Sequence, residues 1–501
     1  MSPKQISRRK NKGDTAGKAV PVQKTENGRA VKDAREAVLL ALLSYEKDGT
    51  FSNVLVKRTL DDCSRMTASE RAFIKRLLEG VIERRMWLDA RIEQLTHRSV
   101  TRLHPVIRQI LRMGIYQIYY MDAVPDSAVC NEAVRLAKRH GPARLSGFVN
   151  GVLRNAAREA AAGRDKDRAA AAETGAASLQ KDSADPADRI QDQSLRHSMP
   201  QWLVQMWTDQ LGAEETEKLL DALMEIRPVS MRLGARLGAA EREKLLEELR
   251  AAGVVIEEGR WLDDCRHLRR TSDLRRLPGF SQGLWTVQDE SSMLAVEAAG
   301  LRGGETVLDV CAAPGGKSFF AADRLSALEA ETGKAGRVYS YDLTRRKTDL
   351  IRQGAKRLHL DNIRIAERDA RIYAGQDESR ADVVLCDLPC SGLGVIGKKR
   401  DIKYRVSPEG LSSLQQLQRE ILKNAARYLR QGGVLIYSTC TINRAENEEN
   451  AAWIGKELGL VPEDLTEYLP AGIPGIQGNM LQLLPHVHGT DGFFISRFRK
   501  A

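Results

Sequence analysis

Past Gly303 short apolar runs alternate with helical patterns: TVLDVC (306–311), RVYSYD (337–342), IRIAERD (363–369), DVVLCD (382–387), GGVLIYSTC (432–440) and GFFISRF (492–498). Runs of this length read as strands. Strands that alternate with helices predict a parallel, doubly wound sheet covered on both faces, and the last run, entered from a loop, is expected at its antiparallel edge. Ligands of such sheets bind beyond the carboxyl ends of the strands. The unusual residues of this stretch cluster there.

The first strand runs into Cys311-Ala312-Ala313-Pro314-Gly315-Gly316-Lys317 and then a helix through Phe319, Phe320 and Leu325. Glycines at a strand-to-helix turn let a ligand approach the backbone at the positive end of a helix. The run is neither G-x-G-x-x-G nor G-x-x-x-x-G-K-[ST], which disfavours a dinucleotide or a triphosphate. Asp342, Asp369 and Asp387 end the next three strands. Asp342 stands where a carboxylate accepts ribose hydroxyls, and three such groups suit a neutral or cationic nucleoside. Taken singly, each is more often a turn or cap residue. Cys390 and Cys440 follow the fourth and fifth strands in polar Ser/Thr/Gly settings, whereas Cys63, Cys130, Cys265 and Cys386 read as small buried hydrophobes. Zinc held by Cys386, Cys390, His486 and His488 is disfavoured, because Cys386 and Cys390 should point to different places and no second C-x-x-C supports it. No metal is expected.

A chain of 501 residues exceeds one hydrophobic core and predicts about three domains. No apolar run approaches the ~18 to 20 residues that span a bilayer, and the basic, polar N-terminus has no apolar signal region. Seven scattered cysteines fit reduced thiols. A cytoplasmic protein without membrane association is expected. Residues 1–33 read as a basic disordered tail. An all-α domain follows at 34–156. Its patterns include a segment opened by a Thr67/Glu70 capping box and running to Leu95, and a buried face through Ile107, Ile110, Leu111, Gly114, Ile115 and Ile118. Its last helix, at 142–156, is expected to carry Arg144, Asn150 and Arg154 beside an apolar stripe. Residues 157–195 are low in large apolar side chains and read as a linker, flexible or partly helical, and 196–285 as a small α/β subdomain ahead of the sheet domain at 286–501. Residues 1–150 hold 28 Lys and Arg against 16 Asp and Glu, the remainder 50 against 51. The surplus fits a polyanion such as nucleic acid, or equally a solvated surface.

DVCAAPGGK (309–317), Asp342, Asp369, DLPCSGLGVIGKKRDIKY (387–404) and YSTCTINRAENEEN (437–450) together resemble the Sun/Nop-type RNA cytosine-C5 methyltransferases. VSMRL (229–233), LPGF (277–280) and TVQDESS (286–292) look like that family's preceding subdomain, and FVNGVLRN (148–155) like the NusB-like domain of its bacterial members. Leu388 and Leu393 replace the usual Ala and Thr, and extra residues near 328–336 are expected to lengthen a loop.

The resemblance implies a multidomain chain: an all-α NusB-like RNA-binding domain, a small α/β RNA-binding subdomain and a C-terminal α/β Rossmann-like methyltransferase domain. It places S-adenosylmethionine over Cys311, Ala312, Ala313, Pro314, Gly315, Gly316 and Lys317, with Asp342 on the ribose, Asp369 on the adenine amino group, and Asp387 facing the amino-acid part and the target base. Carbon 5 of cytosine is a poor nucleophile until something adds to carbon 6, and a thiolate suits reversible addition. By the family pattern Cys440 attacks, Asp387 acts near N3, Lys317 holds the base or lowers the thiol's pKa, and Cys390 serves release. The implied partner is small-subunit (16S) ribosomal RNA, with no obligatory protein partner. The same chemistry on transfer RNA, or a non-catalytic RNA-binding assembly factor, are the alternatives.

Overall fold

A computed structural model describes residues 33–166, 186–271 and 273–501. The basic tail up to residue 32 and the middle of the linker lie outside the described residues. The chain divides into two compact units, 1–175 and 176–501.

The described part of the first unit is helical: α1 (Ala34–Asp48), α2 (Ser52–Asp62), α3 (Ala68–Glu83), α4 (Arg85–Thr96), α5 (Pro105–Tyr120), α6 (Asp126–His140) and α7 (Ser146–Lys166). The capping box opens α3, with the Thr67 N–H donating to Glu70 at 2.9 Å. The segment expected to continue to Leu95 breaks at Arg84 instead. The break turns Trp87 into the core, edge-on to Tyr119 and Tyr120 with ring centroids 5.2 and 5.3 Å away. The expected face of α5 is buried, and at Gly114 a Cβ would stand 2.6 Å from Leu153, so the glycine sets how closely α5 approaches α7. Arg144 falls in a 3₁₀ turn ahead of α7 rather than on it. The segment read as a linker is helical at both ends. Ala160 is buried on α7 beyond its expected end at 156, where alanine's helix propensity costs nothing, and a helix resumes at Pro186–Arg196.

The second unit holds two sheets. The smaller is antiparallel in the order β2-β3-β1-β4, from β1 (Val229–Leu233), β2 (Val255–Glu258), β3 (Cys265–Arg269) and β4 (Trp285–Val287). Met231, Leu233, Leu268 and Trp285 pack there against Leu245, Leu246 and Leu249 of the helix Ala239–Ala251. The boundary expected at 285/286 thus cuts a strand. The helices Gln201–Leu211 and Ala213–Met224 belong to a different core: Leu203, Trp207 and Leu219 cluster with Leu393, Ile396, Ile402 and Ile442, and the Trp207 indole N–H donates to the Ile442 carbonyl at 2.8 Å.

The larger sheet contains β5 (Thr306–Asp309), β6 (Arg337–Asp342), β7 (Ile363–Glu367), β8 (Ala381–Asp387), β9 (Leu429–Thr439), β10 (Leu460–Pro462), β11 (Ile476–Gln477), β12 (Met480–Leu483) and β13 (Phe493–Lys500). Its order is β11-β12-β13-β9-β8-β5-β6-β7, parallel from β9 to β7, with β10 also on β13. The last strand is antiparallel as expected but interior. Phe494, Ile495 and Phe498 are fully buried, and an edge would leave them and a row of backbone groups exposed. The extra residues near 328–336 mostly extend a helix, Gly316–Thr332, rather than a loop.

Arg232 of β1 ties the two sheets together. Its guanidinium is buried, donates to Gln288 at 2.9 Å and Asp323 at 2.7 Å, and stands 4.7 Å from the centre of the Phe320 ring. Burial pulls its pKa down and Asp323 opposes the shift. Removing one partner strands a buried charge. Asp323→Ala is therefore expected to lower the stability of this unit by roughly 3 to 5 kcal/mol, and the paired Arg232→Met/Asp323→Leu replacement by clearly less, in urea titrations followed by tryptophan fluorescence. Equal losses would show that the charge pair is not what joins the sheets.

Candidate active site

Parallel pairing of β8 with β9 sets Asp387 opposite Ser438. The loops leaving both strands then meet, and the Cys390 and Cys440 sulfurs lie 3.4 Å apart. Asp387 is gripped from two sides, by the Lys317 ammonium at 2.7 Å and the Ser438 hydroxyl at 3.1 Å. Lys317, from the first turn of the helix Gly316–Thr332, also stands 4.7 Å from the centre of the Phe493 ring. The structure thus brings together Lys317 and Asp387, and Cys390 and Cys440, from segments as far as 123 residues apart in sequence.

Buried polar side chains that sequence reasoning did not single out hold the two cysteine loops. Glu446 accepts from the Ser391 N–H at 2.9 Å, Gln418 at 3.0 Å and Asn443 at 2.9 Å, and Gln418 also donates to the Pro389 carbonyl at 2.9 Å. Asn447 accepts from the Thr439 hydroxyl at 2.6 Å and donates to the Thr441 carbonyl at 3.1 Å, bracketing Cys440. The available signal was the density of polar residues in TINRAENEEN directly after a buried strand.

The thiols are not equivalent. A hydrogen bond from Cys390 holds the Cys440 pKa below the ordinary thiol value, helped by the charges of Lys399 and Lys317. The same contact, burial and the Glu446 carboxylate push Cys390 well above it. Burial and the neighbouring carboxylates also raise Cys311, which therefore stays a thiol.

On the other side of the crevice Asp342 is fixed by the Ala313 N–H at 2.9 Å, the Leu343 N–H at 2.7 Å and the Lys347 ammonium at 2.9 Å. Asp369 lies just past β7. It caps its own turn through the Arg371 N–H at 3.0 Å and pairs with the Arg371 guanidinium at 2.6 Å, which lowers its pKa. Gly315 has φ +114°, and a Cβ on it would lie 2.2 Å from the Phe319 ring, so the chain itself demands glycine. Gly316 is different. Its φ is ordinary and a Cβ would find its nearest neighbour, Gln288, at 3.7 Å. The protein leaves that space open, and a cradle that a single Cβ would fill fits a ligand lying across the loop at the helix N-terminus.

The set considered for zinc is engaged elsewhere: Cys386 is buried in the sheet core, His486 contacts Glu215 at 2.9 Å, and His488 bonds the Leu484 N–H at 2.9 Å. Cys265, His267 and Glu290 do approach one another within 4.8 Å. Glu290 already accepts the backbone N–H groups of Arg260, Trp261 and Leu262, which makes it a brace for that turn.

A family model described as 16S rRNA methyltransferase RsmB/F matches residues 298–499, a NusB family model matches 32–158, and an RsmF/B-like ferredoxin-like domain matches 199–275. The probable ribosomal RNA small subunit methyltransferase B of Bacillus subtilis (strain 168) is 35% identical over 471 residues, covering 93% of this chain and 98% of the relative. Among solved structures, PH0851 superposes with a TM-score of 0.72 at 22% identity over 93% of this chain and 98% of its own, a likeness of fold. A methyltransferase homolog from Pyrococcus horikoshii gives 0.53 at 25% identity over 63% of this chain and all of its own. These matches define an S-adenosylmethionine-dependent RNA methyltransferase. The chain belongs to the RsmB/F family of 16S ribosomal RNA methyltransferases, with a NusB-like, RNA-binding helical domain. Among the described residues no helix is long and apolar enough to cross a membrane.

Asp309, at the end of β5, is fully buried, accepts from Ser318 at 2.7 Å and leaves Oδ1 without a partner. Burial pushes its carboxyl up to about 7. The folded state therefore holds this proton more tightly than the unfolded chain, so its contribution is complete below about pH 4 and is lost as pH rises through 7. Asp309→Asn is expected to gain stability relative to the parent between about pH 5 and 8. Parallel urea midpoints across that range would contradict a buried, proton-holding Asp309.

Proposed function

We propose that this protein methylates carbon 5 of a cytosine in small-subunit ribosomal RNA, in the cytoplasm, through a covalent bond between Cys440 and carbon 6. The observation that carries the reading is the pair of sulfurs 3.4 Å apart with opposite pKa shifts. A thiol whose pKa is lowered suits the nucleophile, and a neighbour held as the thiol suits a group that acts only once the adduct exists.

In this mechanism the Cys440 thiolate adds to carbon 6, and negative charge moves into the ring toward N3 and carbon 5. The Lys317 ammonium, ion-paired with Asp387 beside the thiols, meets that charge, while Asp387 orients the base from its N3 side. S-adenosylmethionine, when bound, supplies an electrophilic methyl group. The loop from Cys311 to Lys317 would hold it with Asp342 at its ribose, and Asp369 would receive its adenine amino group in competition with Arg371. Loss of the carbon 5 proton to solvent then restores the C5–C6 double bond and expels the Cys440 thiolate, a step that Cys390 serves. A stacked base must first leave its helix, at a cost of a few kcal/mol, which separate RNA-holding domains offset.

Bisulfite sequencing of ribosomal RNA from cells with and without the protein is expected to show one protected cytosine that disappears with it. Cys440→Ser should abolish turnover and form no adduct. Cys390→Ala should accumulate protein joined to RNA as a denaturation-resistant band, absent from the double variant. Adduct in Cys440→Ser and none in Cys390→Ala would exchange the two roles.

The cradle gives an independent check. Gly316→Val should weaken S-adenosylmethionine at least tenfold, about 1.4 kcal/mol, in calorimetry without lowering the melting temperature. Gly315→Ala should instead destabilise the unit by more than about 1 kcal/mol. Unchanged affinity in Gly316→Val would remove this loop from the cofactor site.

A further inference from the structure

The loop after Cys390 is rich in cations, and nearly all of them are committed to the protein. Lys398 bridges Asp289 at 2.6 Å and Asp491 at 2.7 Å. The buried Lys403 donates to the His197 carbonyl at 3.1 Å, and Arg405 pairs with Asp401 at 2.6 Å. Lys399 is the exception: it is exposed and has no ion pair or side-chain hydrogen bond among the described residues. Its place is nevertheless fixed. The N–H groups of Lys398 and Lys399 both donate to the Val395 carbonyl, at 3.0 and 2.9 Å, making a tight turn. That turn hangs from Gly394, whose N–H donates to the Cys440 carbonyl at 3.0 Å and whose carbonyl accepts from Gly492 at 3.0 Å. A Cβ on Gly394 would lie 1.8 Å from the Gly492 carbonyl oxygen, so the junction is closely packed.

The substrate's geometry supplies the other half. In a pyrimidine nucleotide with the usual anti base, carbon 6 is the ring atom that faces its own ribose and 5′ phosphate. A sulfur that adds to carbon 6 therefore works beside a phosphodiester anion. We infer that Lys399 is a positioning residue that grips the phosphodiester on the 5′ side of the target cytidine. This rests on the reading of Cys440 as nucleophile. The charge of Lys399 already lowers the Cys440 thiol, and once RNA is bound it offsets the phosphate, whose charge would otherwise raise that thiol and oppose attack. A neighbouring lysine tied to two carboxylates leaves little net charge for either task.

The test uses the full chain and an RNA fragment containing the mapped cytosine, with either the native phosphate or a single uncharged methylphosphonate on its 5′ side. Lys399→Gln is expected to lower kcat/KM on native RNA roughly ten- to hundredfold, mostly through KM, and Lys399→Arg to recover most of it. The slope of log kcat/KM against log salt should fall by about 0.7. In the parent protein the methylphosphonate should cause a similar loss, and in Lys399→Gln little more. Additive losses or an unchanged salt slope would overturn the inference. A parent protein that makes 5-methylcytosine while Cys440→Ser still forms the adduct would instead overturn the reading beneath it.

Discussion

Everything the site does depends on two strands lying side by side. β8 and β9 are separated by the loop from Leu388 to Ser407 and the 21-residue helix Pro408–Tyr428, yet their parallel register places Asp387 against Ser438. A parallel crossover of this kind must put both carboxyl ends on one edge. From there the chain needs few residues to carry a sulfur inward from each strand, and the two arrive 3.4 Å apart. A slip of one residue in β9 would turn Tyr437, buried in one layer, toward the other and carry Cys440 away from Cys390.

Holding two loops at that distance requires polar groups where the sheet would otherwise be apolar. Glu446, Gln418, Asn443, Asn447 and Asn450 are all buried, and each hydrogen bonds to a loop or to another member of the group. A fully partnered network of this kind fixes one arrangement, because any displacement leaves a buried donor or acceptor unpaired. It also polarises the thiols. Glu446 of this network raises Cys390, while Lys317 and Lys399, outside it, act on Cys440.

The accessory elements of the second unit serve the same edge. The helices of residues 201–224 pack on Leu393, Ile396 and Ile402, and so support the loop that leaves Cys390. Leu393, which departs from the family's usual threonine, is fully buried in that cluster, and Leu388, which departs from alanine, in the sheet core. Arg232 and Asp323 fasten the smaller sheet to the helix whose first turn carries Lys317.

The sequence by itself determined the parallel sheet, because short apolar runs alternating with amphipathic helices have few other ways to bury their faces. It also determined which residues stand at the strand ends: Asp342, Asp369, Asp387, Cys390 and Cys440 were all legible from position within a motif. Tertiary structure decided what local pattern does not encode. The last strand is interior because β12 and β10 close on it from chain segments that show no strong period. The break at Arg84 follows from Trp87 seeking the tyrosines of α5, a contact across 32 residues. The helices at 201–224 join the larger domain through contacts nearly two hundred residues away. The inequality of the two thiols belongs here as well. Each is a cysteine after a strand, and it is their hydrogen bond to each other, with the charged groups that the fold gathers around them, that shifts the two thiols in opposite directions.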